Sequence, residues 1–491
     1  MTPPAVRVIR RRVGLLPLVG LIYFSVSGGP FGLEEAVGSA GPGMALLMVA
    51  AIPLLFGLPC SLMAAELGSA LPLEGGFYYW VKVALGRFAG YVEGLGSWLV
   101  TFLDTALYPV IFADYVAVWL PGAARGEHVV ISAFDGGVSV DLHWLVAIVF
   151  MVPLAWLNAR GARVVGGTSV GLMVAVLAPF LVVTVLGLVK LAGPDAVSPV
   201  SPFTLPDQAP SAAFGAALGV VIWNYIGWDA ISTASDEIDQ PRRTYPRALA
   251  ISLPLITVSY LLPLVASLAS GLHADDPSAW ADGDFAEVGR LLGGHWLAVA
   301  VTLAAVLAQV GLFSSLLLSG SRTPEVLAAD GYLPGRLART SPRYGTPVTA
   351  IVTSCAVFAV FCALDFTTLV DSDVLLNLFL LLLEFAALIV LRVRFPLMRR
   401  PFRIPGGMPG VIGATAPVVV FTGWLLWSTV REEPLAAVIG TGMLVLAALS
   451  WWPVQALVKR GRPDAVVDVE GIDFGPGTDA GAIVYGKEVH R

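Results

Sequence analysis

Five carboxylates lie inside or beside long apolar runs of the chain: Glu34, Glu35, Asp104, Asp229 and Glu384. A carboxylate at the centre of a membrane helix costs about 2.5–3.5 kcal/mol, so each one needs a compensating role. The first two follow a proline that can begin a helix, where an acid gains only about 0.3–1 kcal/mol from the helix dipole. Such carboxylates can hold an ammonium group or carry a proton. Hydrogen bonding to a neighbouring hydroxyl or carbonyl is the structural alternative.

Two of the apolar runs contain residues that interrupt a helix. Residues 25–32 include Gly28, Gly29 and Pro30, and residues 223–229 combine polar groups with a glycine. Glycine and proline both disfavour regular helix, and unwound backbone inside a bilayer is tolerated only where it faces protein or a watery cavity. We therefore expect both breaks to face one binding cavity. Close helix packing around small residues is the alternative interpretation.

The composition shows which solvent surrounds these runs. Of 491 residues, 57% are hydrophobic and 13% are charged. Soluble domains are typically about 45–50% apolar and about 25% charged, so lipid must cover the excess apolar surface. Three cysteines in apolar runs, with no CxxC pair, predict neither a disulfide framework nor a metal site.

Twelve stretches are long enough to cross the bilayer, because about 20 apolar residues span about 30 Å of hydrocarbon. An even number of spans places both termini on one side. We expect a terminus at residues 1–12, a transmembrane domain at 13–455 and a tail at 456–491. The predicted spans are residues 13–37, 43–65, 86–120, 141–158, 165–192, 212–236, 248–271, 296–319, 347–364, 374–391, 411–430 and 434–455.

The basic residues test this topology. Of the 29 Lys and Arg, 25 fall on the side of the termini and only four on the other. By the positive-inside rule the termini are cytoplasmic, and we expect a multi-pass protein of the plasma membrane. The four exceptions are Arg125, Lys190, Arg290 and Arg431. Acidic residues collect in the outer loops, notably Asp275, Asp276, Asp282, Asp284 and Glu287.

Several motifs resemble those of the amino acid-polyamine-organocation (APC) superfamily, and within it the polyamine uptake transporters of plants and protists, in the LAT-like branch. The resemblance covers residues 12–458 and implies an all-α LeuT-type fold. That fold has a 5+5 inverted repeat, breaks in helices 1 and 6 and two extra C-terminal helices. It binds substrate between the breaks. The motifs are SGGPFGLEE (27–35), PLEGGFYYW (72–80), ALYP (106–109), LNARG (157–161), EIDQPRRTYP (237–246), GYLP (331–334), GTP (345–347), LEF (383–385), LRVR (391–394) and RPFRIP (400–405).

The breaks and the resemblance together predict the binding site. The resemblance implies that Trp223 forms an aromatic gate and that Asp229 contacts substrate, and aromatic rings there can stack on ammonium groups. The predicted substrate-binding residues are Ser25, Ser27, Gly28, Gly29, Phe31, Gly32, Glu34, Glu35, Asp104, Trp223, Tyr225, Trp228 and Asp229.

Two kinds of coupling ion are compatible with the sequence. Asp104 or Glu384 can carry a proton, and the resemblance implies that Ser314 and Ser315 can line a sodium site. Some proton-coupled relatives carry a lysine in span five, but residues 166–173 contain none.

The acids at both half-helix starts favour an ammonium-bearing substrate over a substrate carboxylate, although the amides of Phe31 and Gly32 remain available for one. We therefore expect import of polyamines, amino acids or both by alternating access, driven by protons or by the membrane potential, with a polyamine favoured. The alternative is an amino acid permease or exchanger for neutral or cationic amino acids. The oligomeric state stays open.

Other classes of protein are disfavoured. The sequence has no HExxH or Walker A motif, its one GxSxG match (residues 167–171) lies inside the predicted span 165–192 rather than at a strand-to-helix turn, and its five histidines lie in loops, at outer span ends or in the tail. A channel would more naturally offer repeated pore motifs across subunits. We expect no enzyme activity, no cofactor and no nucleic-acid partner. Glu66, Glu93 and Glu237 lie near basic loops, where we expect each to pair with an arginine.

Overall fold

The computed structural model describes residues 12–119, 122, 129, 131–133, 138–194, 196–363, 366–432, 434–458 and 472–474. Within them the chain is almost entirely α-helical, with one antiparallel hairpin that pairs Ile131 with Val140. The elements are α1 (Leu15–Val26), α2 (Leu33–Ala40), α3 (Pro42–Ile52), α4 (Leu58–Ala70), α5 (Phe77–Leu85), α6 (Arg87–Trp119), β1 (Ile131–Ala133), β2 (Val138–Val140), α7 (Leu142–Asn158), α8 (Ala162–Leu191), α9 (Pro210–Trp223), α10 (Pro241–Leu268), α11 (Asp284–Gly293), α12 (His295–Ala329), α13 (Val348–Phe361), α14 (Phe366–Arg394), α15 (Gly407–Glu432) and α16 (Pro434–Val458).

Eight stretches of the described residues are long and apolar enough to cross a membrane. Four shorter apolar helices, α1, α7, α9 and α13, overlap other predicted spans. Large apolar side chains point away from the bundle, and Leu54, Leu181 and Val360 are 65%, 66% and 70% exposed. Such an exterior is stable against lipid rather than water, so the chain is a multi-pass membrane protein. The eight stretches are Pro42–Ala70, Arg87–Ala113, Ala162–Leu191, Pro241–Leu268, His295–Ala329, Ser372–Arg394, Gly407–Arg431 and Ala436–Ala456.

Some elements differ from the sequence prediction. The helix α12 continues to Ala329, beyond the predicted end at residue 319. The short helices α5 and α11 and the β-hairpin were not predicted. A hydropathy window of about 20 residues detects only long apolar stretches. It therefore misses helices of nine or ten residues, and it ends a predicted helix where the sequence becomes polar.

The first break begins where α1 ends at Val26. Ser27 adopts extended backbone geometry, and α2 begins six residues later at Leu33. Between them Gly29 and Gly32 have φ of 101° and 86°. Residues other than glycine rarely adopt this region, because a Cβ there approaches the backbone too closely. The glycines of this motif therefore set the direction in which the chain re-enters a helix.

The second break follows α9, which ends at Trp223. Gly227 has φ of 101°, and residues Ala230–Glu237 then form a 3-10 helix with a kink at Ala234. A Cβ on Gly227 would overlap the carbonyl oxygen of Ser25, so the two breaks are in direct contact. Glycine is required here by this close approach as well as by its positive φ.

The described residues include only parts of the two terminal segments. Of the predicted N-terminal segment 1–12, only Arg12 lies within the described residues. Of the predicted tail 456–491, residues 456–458 complete α16, and residues 472–474 contact the bundle. The Phe474 ring lies 5.2 Å from that of Phe395, and the Arg399 amide donates to the Asp473 carbonyl at 2.9 Å.

Candidate functional site

A central cavity lies between the two breaks and the inner faces of α6, α12 and α14. Its space for the centres of water molecules is ≈ 130 Å³, about ten times the ~10–15 Å³ that one water needs. A small molecule fits this volume. Seven of the predicted residues line the cavity: Ser25, Gly28, Phe31, Gly32, Asp104, Trp223 and Asp229.

The other six predicted residues lie elsewhere. Tyr225 and Trp228 line a smaller side pocket, which shares Asp229 with the central cavity. Ser27 and Gly29 are buried beside the cavity. The remaining two are adjacent on α2, and successive helical residues point about 100° apart. Glu34 is accordingly buried, whereas Glu35 is exposed.

Glu34 binds the backbone of the first break and does not line the cavity. Its Oε2 accepts a hydrogen bond from the Gly32 amide at 2.9 Å. The Ser27 hydroxyl likewise accepts from the Gly29 amide at 3.1 Å. Two amides of the break are thus already bound by acceptors of this chain, which leaves fewer donors for the carboxylate of an amino acid.

Asp104 faces a second aspartate across the cavity. Tyr108 donates to Asp104 Oδ1 at 2.8 Å, one helical turn away on α6. Asp373 on α14 is buried, interacts electrostatically with Asp104 and accepts a hydrogen bond from Asn377 at 3.0 Å. Both aspartates line the cavity. The hydrogen bonds from neutral donors orient the two carboxyl groups without neutralising them.

Asp229 has acidic neighbours of its own. It lines the side pocket together with Glu384 on α14, and the two carboxyl groups interact electrostatically. Glu93 on α6 interacts electrostatically with both of them. The prediction that Glu93 pairs with an arginine is wrong. Its Oε1 accepts a hydrogen bond from Ser97 and its Oε2 has no hydrogen-bond partner among the described residues, because Glu93 faces the bundle interior near Asp229 and Glu384 rather than an arginine.

The charge of the cavity wall is entirely negative. Among the described residues that line it are Asp104, Asp229, Asp282 and Asp373, and none is Lys, Arg or His. A cleft lined by one sign of charge concentrates ions of the opposite sign. The cavity therefore favours cations over anions.

Buried ion pairs close one end of the bundle, which we call the basic end and define by Lys82, Arg322 and Arg392. Arg322 donates to Glu237 Oε1 at 2.8 and 3.0 Å, and the next residue, Thr323, lines the cavity. The predicted arginine pairing of Glu237 is thus confirmed. Lys82 pairs with Asp330 at 2.5 Å.

Glu66 also pairs with arginine, as predicted. Arg392 donates to Glu66 Oε1 at 2.8 Å and to Glu66 Oε2 at 2.5 Å, and Arg400 lies 3.3 Å from Glu66 Oε1. Glu66 is fully buried. A buried charge without a partner is strongly destabilising, so these pairs hold the ends of α4 and α14 together.

Comparison with known proteins supports the resemblance found in the motifs. A family model described as "Amino acid permease" matches residues 16–448. The chain belongs to the amino acid permease family. Its membership of the APC superfamily, predicted from the motifs, is confirmed.

Relatives in the family carry names of two substrate classes. "Polyamine transporter PUT1" of Oryza sativa subsp. japonica is 36% identical over 453 residues, covering 92% of this chain and 80% of that protein. "Polyamine transporter RMV1" of Arabidopsis thaliana is 33% identical over 432 residues, covering 87% and 84%. "Branched-chain amino acid permease BcaP" of Bacillus subtilis (strain 168) is 26% identical over 432 residues, covering 85% and 89%.

The permease cavity also contains residues that sequence reasoning missed. Asp373 lies one residue before the predicted span 374–391, and Asp282 was assigned to an outer loop. Asn377 and Gln309 carry no charge, so they do not stand out as buried charges in the sequence. The sequence does contain one indication of Asp373. It lies eleven residues before Glu384, and eleven residues return a helix to nearly the same face, so both acids point to the same side of one helix.

The serines proposed for sodium have different surroundings. Ser315 donates to the Leu21 carbonyl of α1 at 2.7 Å and lies 3.1 Å from the Ser25 hydroxyl. The Ser314 hydroxyl is buried and has no hydrogen-bond partner among the described residues. Only Ser315 therefore contacts the backbone of the first broken helix.

Proposed function

We propose that this permease is a secondary transporter that imports polyamines by alternating access. The observation that supports this most directly is the cavity wall: among the described residues, four aspartates and no basic side chain line the space between the breaks. Ammonium groups are complementary to such a wall, and the carboxylate of an amino acid is not. The names of the two plant relatives point to the same substrate class.

We further propose the complete membrane topology. The eight long apolar stretches together with the four shorter apolar helices make twelve spans of a LeuT-type 5+5 repeat. The contact between the breaks of α1 and α9 supports this arrangement. The basic end is cytoplasmic by the positive-inside rule, so both termini face the cytoplasm of a cell whose plasma membrane holds the protein.

Alternating access requires a path that opens at the basic end. The Glu237–Arg322 ion pair lies next to the cavity and joins the end of the second break to α12. In this mechanism the pair separates when substrate leaves toward the cytoplasm.

The membrane potential supplies a driving force without a coupling ion. A potential of 100 mV contributes about 2.3 kcal/mol per charge, and about 1.4 kcal/mol is a tenfold change in an equilibrium constant. A dication therefore accumulates by roughly three powers of ten if the carrier itself moves no compensating charge. In this proposal protons couple through Asp104 or Glu384, and sodium at Ser314 and Ser315 is the alternative.

Transport of amino acids is the second candidate function. It is favoured by the branched-chain amino acid permease among the relatives. The hydrogen bonds that occupy the Gly29 and Gly32 amides weigh against it, because a substrate carboxylate needs such donors.

Uptake by the purified protein in liposomes tests the proposal. The substrates are labelled putrescine, labelled spermidine and a panel of amino acids, measured at varied potential, pH and sodium. Saturable polyamine uptake that increases with an inside-negative potential is the expected result. Transport of neutral amino acids alone would overturn the polyamine assignment.

A further inference from the structure

Two helices that pack against each other carry carboxylates at matching heights. On α6, eleven residues separate Glu93 from Asp104, and on α14 eleven residues separate Asp373 from Glu384. Eleven residues make about three turns and about 16 Å of helix, so both acids of each helix lie on one face.

The helices α6 and α14 run antiparallel, so the first acid of each lies near the second acid of the other. Asp104 interacts electrostatically with Asp373, and we call these two the upper level. Glu93 interacts with Glu384, and with Asp229 from the second break these three form the lower level. Because both pairs follow the same register, the two levels are separated along the bundle by about the same 16 Å as the acids on each helix.

The central cavity and the side pocket, which share Ser97, Asp229 and Asn377, together connect the two levels. Asp104 and Asp373 line the central cavity, Glu384 lines the side pocket, and Asp229 lines both. The wall of the central cavity runs from Ser97 to Ile111 on α6 and from Gln309 to Thr323 on α12. Each run spans fourteen residues, or about 21 Å of helix. The cavity therefore extends mainly along the bundle, and an elongated cavity suits a linear chain better than a branched side chain.

We propose that the upper and lower levels are two ammonium subsites occupied at once by the terminal ammonium groups of one long polyamine. This inference rests on the proposed function and adds the length of the substrate. Asp373 and Glu384, which were not counted among the substrate-binding residues, become determinants of specificity for length.

Chain length decides which amines can reach both levels. The carboxylates of the two levels lie about 16 Å apart along the bundle, and an ammonium nitrogen lies about 3 Å from the carboxylate that binds it. If both nitrogens lie between the two levels, they need to be only about 10 Å apart. An extended chain spans about 1.2 Å per bond. Five bonds between nitrogens, as in putrescine, reach about 6 Å, whereas nine bonds, as between the termini of spermidine, reach about 11 Å. Short diamines therefore occupy one level only.

A length series of linear α,ω-diamines tests this inference at constant charge. The purified protein in liposomes is challenged with diaminobutane, diaminohexane, diaminooctane, diaminodecane and diaminododecane, each competing with labelled spermidine. Linear monoamines of equal length measure the contribution of apolar burial alone. The diamine-to-monoamine affinity ratio is expected to rise by about tenfold between diaminobutane and diaminooctane, because one additional charged hydrogen bond forms.

One variant tests the upper level, and a second variant is its control. Asp373→Asn is expected to flatten the length dependence of the diamine-to-monoamine affinity ratio. Glu287→Gln is the matched control, because it removes an exposed carboxylate on α11 whose pKa the hydrogen bond from Arg290 lowers. It should leave the length dependence unchanged.

The outcomes separate the inference from the function on which it rests. A flat ratio in the wild type, with amines still transported, overturns the two-level inference and leaves the polyamine function standing. Failure of every amine to bind or move overturns both. The wild-type series is decisive even if the Asp373 variant does not fold.

Discussion

Asp229 and Glu384 line the same side pocket, although one belongs to the second break and the other to α14. Two carboxylates that share one pocket repel each other when both are ionised, so a proton on one of them stabilises the pair. An ammonium group that enters the lower level neutralises the same charges. The shared pocket thus connects substrate binding, proton release and the position of the break.

Glu384→Gln should remove the pH dependence of uptake. The amide carries no titratable proton and does not repel Asp229, so no proton has to leave when substrate binds. Initial rates in liposomes at clamped potential, measured from acidic to neutral pH, give the profile. A variant whose profile matches that of the wild type would show that this pair carries no coupling proton.

Asp229→Asn should weaken binding of a polyamine more than binding of a neutral amino acid. Hydrogen bonds to charged groups contribute about 1.5–3 kcal/mol, so we expect a rise of about tenfold or more in the KM for spermidine. The zwitterion lacks the second ammonium group and should be affected less. Uptake kinetics of both substrates check this, with Glu287→Gln as the control.

Glu237→Gln should open the basic end. Removing one partner of a buried ion pair costs about 3–5 kcal/mol, because Arg322 is left without its countercharge. In a background whose native cysteines are replaced by alanine, a Thr323→Cys probe should react faster with a thiol reagent added from the basic end. The Tm should also fall.

Arg290→Gln is the control for that measurement. It breaks the exposed Glu287–Arg290 pair, and exposed pairs contribute about 0–1 kcal/mol. Equal labelling rates in Glu237→Gln and the parent would exclude the ion pair as a barrier.

Gly227→Ala should abolish uptake. The added Cβ would overlap the Ser25 carbonyl at a φ of 101°, so the contact between the two breaks cannot form unchanged. Gly167→Ala in α8 is the matched control, because nothing lies within 4 Å of a Cβ at that position. Alanine is the better helix former, by about 0.8–1 kcal/mol. Normal uptake by Gly227→Ala would show that the breaks tolerate separation.

The sequence by itself determined the membrane class, most of the helices and the place of both breaks. These properties follow from local patterns, since apolar length predicts a span, and Gly28, Gly29 and Pro30 disfavour helix wherever they occur. The family motifs are likewise local and gave the superfamily. Asp104 and Asp229 could be found as charges inside apolar runs, and both line the cavity.

Only the tertiary structure decided which acids face one another. Glu34 and Asp373 both resemble loop or cap residues in the sequence, yet Glu34 binds the Gly32 amide and Asp373 lines the cavity opposite Asp104. The difference depends on the rotation of each helix and on the register between α6 and α14. Helix pairing joins residues that are hundreds of positions apart, and no local spacing encodes it. The charge of the cavity therefore follows from packing, whereas the helices that form it follow from composition.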